Sequence, residues 1–562
     1  MTRLSTLVGV LVPLALAAPS FASDVLVLDR AGKSVARLDS ATLVAKGTAA
    51  LPDVPTRIVV SPDGKTVVIL CRGEGEQKYD GFRAKTMSQA VVLDTETMKE
   101  RARVELGWGL GPALWDATGA NLVVLAGGYP STNPEKRQRA TVVSIGLDGT
   151  ARRVSIDRGA IELAVSADGS AAAVLSPRVE GPAALFFCDF ATKTATAPVM
   201  MEGEPEELLV APDGVTLYSI ARGKQRGFGN VQGILAIFSF SERKLIGQLK
   251  LGAITGIGGF EKNGRLILGG ARAGEVKEHR ITIVKGTAVE HSVVGPEAPV
   301  SFLFSPDGRT ALVLGTTSAI VDFGDFSSPP AVAVFKMFGG GLGGLAFERT
   351  PDGKLGLVYA QMSENACEVA IYDLPAGTKR KSFDTASFGS RLVAGLAAGA
   401  ATISSIDSGR REAQARGQST YMYSIYTVKT QTPRGTPLVI RPDGKVAFVY
   451  NPMGNDVLSI DLEKLEKGKR QNAGKGSRGL FLTGGGRTLL VASEKGLSVF
   501  DTTLFGEPVV TKTDGPADIA MGPSGEALLF AKGLVAVIDP ATGKVGPQSA
   551  AFKEPAIGTF LP

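Results

Sequence analysis

The chain has 562 residues, of which 70 are Gly, 44% are hydrophobic and 21% are charged. Gly at about one residue in eight, against a usual ~7%, together with the large apolar share, excludes a disordered chain and points to a sizeable core with many tight turns. The 61 Lys and Arg against 55 Asp and Glu leave +6, too mild a balance for a dedicated nucleic-acid binder, and the two His and three Cys already narrow the available chemistry.

Residues 1–23 carry Arg3, an apolar run from Leu7 to Ala18, and the small-residue pattern Ser20-Phe21-Ala22. This reads as a secretory signal peptide over residues 1–22, cleaved after Ala22. A membrane span needs ~20 apolar residues, and Pro13 interrupts a shorter run. The sequence therefore predicts an exported chain, periplasmic or secreted, with no membrane span.

The next segment, Asp24 onward, reads DVLVLDRAGKSVARLD and matches the second half of a repeat unit. The full unit begins at Ile58–Leu70, IVVSPDGKTVVIL, and recurs as FLFSPDGRTALVL, FERTPDGKLGLVY and LVIRPDGKVAFVY, with weaker copies between. Its marker glycines are Gly64, Gly119, Gly169, Gly214, Gly264, Gly308, Gly353, Gly444, Gly486 and Gly525, spaced 39 to 55 residues apart except for one gap of 91. That gap is about twice the usual spacing and predicts a degenerate copy near Gly399.

Each marker sits between two apolar runs, the pattern of a hairpin whose Pro presets φ, whose Asp accepts turn N–H groups and whose Gly takes positive φ. A later strand in each unit ends in Asp, as at Asp94, Asp373, Asp461, Asp501 and Asp539. Four strands per ~45 residues with no helical period is the unit of a propeller blade. The C-terminal Ala556–Leu561 matches an inner strand, so both termini are expected to complete one blade. The count predicts an all-β β-propeller of about twelve four-stranded blades. Since ~4–8 blades are usual, it also predicts two propellers in tandem, over 24–320 and 321–562, with the boundary between 269 and 366.

The phrase VAVIDPATGK at Val535–Lys544, with the Ser-Pro-Asp-Gly-Lys turns, resembles the YVTN family of propeller repeats. The turns alone are also similar to those of the Tol-system periplasmic propeller. The resemblance spans essentially the whole chain after residue 23 and implies the fold. Relatives in that superfamily include surface-layer-like proteins, lactonases and electron-transfer enzymes, but none of the enzymes' active-site residues falls on a matching motif here.

Catalytic constellations are sparse. His279 and His291 lie in one unit and read as hairpin residues, and the three Cys read as buried small hydrophobes. No Cys-x-x-Cys-His or Gly-x-Ser-x-Gly occurs. Gly339–Gly344 satisfies Gly-x-Gly-x-x-Gly, but a strand rather than a helix follows, which does not suit a dinucleotide site. Glu202, Glu204, Glu206 and Glu207 cluster before an inner strand and read as a solvated acidic loop. No catalytic residue, metal or cofactor is expected.

Ligand contacts are expected on the connections between second and third strands. Five of them, Arg72–Ala90, Gly127–Ala140, Arg222–Gly233, Gly269–Arg280 and Asp407–Thr420, carry +8 together. Loops entering the next inner strand on the same side carry −6, which reduces a basic face to a basic patch. The candidate residues are Arg137, Arg139, Arg222, Lys224 and Arg226, with Tyr129 and Phe228 as stacking surfaces. The leading expectation is a non-enzymatic scaffold for a protein or cell-envelope glycan. The alternative is a lactonase- or hydrolase-like enzyme using carboxylates and Arg in a central channel.

Overall fold

The structure is a computed structural model. It describes residues 24–385 and 436–561 apart from 74, 79–80, 129–138, 178–181, 204, 222–224, 227–228, 231–232, 262, 273–274, 298, 300, 305–308, 316, 336–342, 364–365, 375–377, 452–453, 478, 523–525, 550–551 and 554. The signal segment and the degenerate copy near Gly399 lie outside the described residues.

Among the described residues eleven four-stranded antiparallel blades form; in ten of them the strands run in chain order from inner to outer edge, while blade 1 takes its inner strand from the C-terminal segment. Blade 1 comprises residues 24–50 with the C-terminal strand Pro555–Phe560. Blades 2 to 11 cover 54–107, 110–155, 162–200, 205–251, 254–294, 301–335, 343–384, 438–472, 480–512 and 518–549. In blade 4 the outer position is shared by two short strands, Thr194–Ala195 and Val199–Met200, which both pair with Ala184–Asp189. The fold is an all-β β-propeller.

Why the second strands read as unbroken apolar runs follows from strand geometry. Successive side chains point to opposite faces, and in a propeller both faces are covered by neighbouring blades. Val67, Ile69 and Cys71 enter the core shared with blade 1, whereas Val68 and Leu70 enter the core shared with blade 3. Outer strands have solvent on one edge and carry charge, as in Glu100–Gly107 (ERARVELG) and Thr378–Asp384 (TKRKSFD), which discourages edge-to-edge pairing.

Eleven hydrophobic clusters occupy the eleven junctions between consecutive blades. The last junction joins Val25, Val27 and Leu38 of blade 1 to Leu528 and Phe530 of blade 11, so the series closes on itself. Blades 8 and 9 share a core through Leu357, Tyr359, Leu438 and Val449. They are neighbours, and the count among the described residues is eleven rather than about twelve. Cores also run unbroken through the interval 269–366: Ile267 and Ile283 pack with Val313 and Val321, and Leu312 packs with Val358 and Tyr372.

Closure uses both termini as the sequence suggests. Pro555–Phe560 pairs antiparallel with Asp24–Asp29 in the register Val25 with Phe560 and Asp29 with Pro555. An eleventh inner edge that would otherwise be open is thereby filled.

Candidate functional site

Antiparallel meanders put their connections on two sides. Turns joining inner to second and third to outer strands share one side, and the remaining connections share the other. The first side is built of short repeated turns. At Ser61–Thr66 the Ser61 hydroxyl donates to Asp63 Oδ1 at 2.6 Å, the Lys65 N–H donates to the same oxygen at 3.1 Å, and Gly64 has φ 70°. Ser166 with Asp168 and Thr350 with Asp352 repeat the arrangement at 2.7 and 2.6 Å. These hydrogen bonds hold the Asp63, Asp168 and Asp352 carboxyls below the usual range. The marker residues are scaffold, and their carboxylates are committed to the turn.

The second turn type works through the Asp that closes the third strand. Asp94 Oδ1 accepts the Thr97 N–H at 2.8 Å and the Thr97 hydroxyl at 2.9 Å, after which Met98 takes φ 57°. Asp189, Asp461, Asp501 and Asp539 cap the same turn.

The other side carries the long connections. In blade 2 the connection between second and third strands forms its own hairpin, Gly75–Lys78 with Gly81–Ala84; in blade 5 it forms another, Gln225–Arg226 with Gly229–Asn230. Of the candidate ligand residues, Arg139 is exposed just before Thr141–Gly146, and Arg226 pairs with Gly229 in the blade 5 hairpin. Blade 4 stands between the two connections that bear them. Tyr129, Arg137, Arg222, Lys224 and Phe228 lie outside the described residues.

The acidic run divides. Glu202 pairs with Lys250 at 3.3 Å and accepts from Gln248 Nε2 at 3.2 Å, while Glu207 belongs to the inner strand Pro205–Val210. Glu204 lies outside the described residues. Among the described residues no group of three or more His, Cys, Asp or Glu is placed to hold a metal ion. His291 Nε2 lies 3.1 Å from the Phe326 carbonyl, whereas His279 sits half-buried opposite Ala271, its pKa lowered by burial. His291 pairs with Ile283, four residues further along the strand from His279, so ~3.3 Å per residue separates the two by about 13 Å.

Inner strands carry charge at a common register. Arg57, Glu162 and Glu207 pair with Leu70, Leu175 and Ile220 of their own blades. Burial pushes the Arg57 guanidinium below and the Glu348 carboxyl above their ordinary values.

A cleft of about 260 Å³ lies between blades 5 and 6. Its apolar wall includes Leu251, Ile254, Leu268 and Val289; Lys250, Arg280, Thr282 and Ser292 supply the polar groups. The sequence signal is Gly269-Gly270 at the end of an apolar second strand. A Cβ on Gly270 would lie 2.3 Å from the Ala253 carbonyl oxygen, so the backbones approach where only Gly fits.

No protein-family model matches the chain, and no curated protein matches it. Solved structures similar to it include a eukaryotic initiation factor at 12% identity and a TM-score of 0.41, covering 88% of this chain and 96% of the other. The dihydro-heme d1 dehydrogenase NirN is similar at 15% and 0.35, over 87% and 79%. The hydrazine synthase of Kuenenia stuttgartiensis is similar at 15% and 0.28, over 73% and 96%. No function is transferred from likenesses this distant.

Proposed function

We propose that the chain is a non-enzymatic, exported β-propeller that acts as a binding scaffold for a protein or a cell-envelope glycan. The observation that carries this reading is the distribution of chain length between the two sides. Short, capped turns occupy one side, while the extended connections, two with their own hairpins, leave from the other. Binding residues concentrate on such connections because a rigid scaffold positions them without constraining their sequence. Arg137, Arg139, Arg222, Lys224 and Arg226, with Tyr129 and Phe228, form the proposed contact patch.

Export, to the periplasm or beyond the cell, is proposed from residues 1–22, and the repeated turns with Val535–Lys544 support a YVTN-type repeat. Among the described residues no helix is long and apolar enough to cross a membrane. The closed series of eleven cores favours one ring over a division into 24–320 and 321–562. The test is capture of partners from an envelope extract by the wild type and by a variant with the five cationic residues changed to Gln. Reduced recovery supports the patch, and equal recovery overturns it.

A second reading, a lactonase- or hydrolase-like enzyme working from the channel, draws on Glu348. This inner-strand carboxyl has its pKa raised by burial, a property suited to proton transfer. Hydrolysis of lactone or ester probes that disappears in Glu348→Gln would favour it.

A further inference from the structure

We infer that the cleft between blades 5 and 6 is a subsite for one neutral pyranose residue; this rests on the glycan half of the proposed function. Leu251 in the cleft wall pairs with Gly233, where the chain returns from the Gln225–Asn230 hairpin, so the cleft lies at the foot of a proposed contact loop.

The polar groups are arranged as a set. Arg280 Nε donates to Glu278 Oε1 at 2.7 Å and Nη2 approaches the same oxygen at 2.5 Å, while Nη1 donates to the Ser292 carbonyl at 2.9 Å. Both side chains are about one-quarter exposed, 25% and 24%. Held in this way, the guanidinium is preorganised, and its five N–H groups exceed the partners it has among the described residues. The Ser292 hydroxyl meets Thr282 Oγ1 and Arg280 Nη1 only at 3.4 Å each, leaving both hydroxyls capacity for a closer partner.

Charge and shape then select the ligand class. Of the two cations lining the cleft, Arg280 is paired with Glu278 and Lys250 with Glu202 at 3.3 Å, so the charges balance, and guanidinium N–H groups beside the Thr282 and Ser292 hydroxyls suit sugar hydroxyls that both donate and accept. The half-buried Leu251 and the 40% exposed Val289 offer an apolar surface for the C–H face of a sugar ring. About 260 Å³ is below the ~300–1,000 Å³ of drug-sized pockets and fits a single small ring.

The test is a saturation-transfer NMR titration of the full chain with D-glucose, N-acetyl-D-glucosamine and D-glucuronate. Saturable binding of a neutral sugar is expected, with Kd on the order of 1–10 mM, a range typical of weak single-site contacts. Kd should rise about tenfold or more in Arg280→Gln and in the near-isosteric Thr282→Val, roughly 1.4 kcal/mol or more. Thr282→Val keeps the test valid should Arg280→Gln melt early. Absence of saturable neutral-sugar binding, binding indifferent to Thr282→Val, or preference for D-glucuronate overturns the inference. A null titration with patch-dependent capture overturns the cleft alone; Thr282-dependent sugar binding with patch-independent capture overturns the patch alone.

Discussion

The backbone N–H of Lys553 donates to Asp29 Oδ2 at 3.0 Å across 524 residues of chain. Asp29 is 4% exposed, and its other oxygen accepts the Gly32 N–H at 3.0 Å, so one carboxylate ties the C-terminal segment to the first hairpin. An amide at this position offers one acceptor oxygen to two donors, leaving one of them unpaired. Gly32 and Lys553 are exposed, so water can replace the lost acceptor, and Asp29→Asn should cost about 1 kcal/mol, the net worth of one hydrogen bond. Deleting residues 553–562 should do more, because the inner edge of blade 1 loses its paired strand. Denaturant midpoints measure both; equal stability of the truncated chain would show that the closing strand contributes nothing.

Marker glycines separate a conformational cost from a steric one. Gly264 has φ 82° and nothing within 4 Å of a Cβ placed there, so Gly264→Ala should cost only the left-handed backbone penalty, about 1–2 kcal/mol. Gly169 has φ 67°, and a Cβ would lie 2.3 Å from Asp116 Oδ2. Asp116 Oδ2 also accepts the Asn121 N–H and side-chain amide, so it has little freedom to move. Gly169→Ala should thus lower the melting temperature clearly more than Gly264→Ala; equal losses would refute an interblade clash.

Acid should weaken the turns in a defined window. Asp39 is held down to about 2, first by Lys46 and then by the Thr42 N–H. Asp94 is also held at about 2, by the Thr97 N–H first and then by Arg101. Folded-state values below the unfolded ~3.9 mean that the contribution is complete above about pH 4 and is lost as pH falls toward 2. Both side chains are about a quarter to a third exposed, which keeps the contribution of each small. Melting temperature should fall between pH 4 and 2, and Asp39→Asn with Asp94→Asn should flatten that part of the profile. An unaltered slope in the double variant would exclude these two groups.

What could be read from the sequence followed physical locality. Ser61–Lys65 declares its turn because Pro, Asp and Gly each satisfy a nearby backbone demand, and Gly64, Gly119, Gly169 and Gly214 do adopt positive φ. Val67–Cys71 declares a strand covered on both faces. The packing of blade 8 on blade 9 is not legible, because it depends on Leu357 and Leu438 sharing one core although 80 positions lie between them in the chain. The cleft was hidden for a related reason. The stretch Gly269–Arg280, expected as a connection and counted only for charge, is mostly paired strand, with Arg280 inside Glu275–Lys285, and its Glu278 partner and Thr282 neighbour acquire meaning once blade 5 supplies Leu251.

Two buried thiols provide a last test of the interblade cores. Cys71 and Cys188 are both 0% exposed, and burial pushes each thiol up to about 12. A buried, protonated thiol is a poor nucleophile, so in a Cys367→Ala background neither should react with a maleimide at pH 7 until denaturant opens the blades. Their tolerance of Ser should differ. Cys188 lies among Ala172, Val174, Phe186 and Phe190, and burial is what raises its pKa. Cys71 also has a backbone hydrogen bond involving Asp53. Cys188→Ser should therefore destabilise by about 1–3 kcal/mol through an unpaired hydroxyl, more than Cys188→Ala and more than Cys71→Ser. Denaturant midpoints that rank Ser above Ala at position 188 would show that this core contains a polar partner for the side chain.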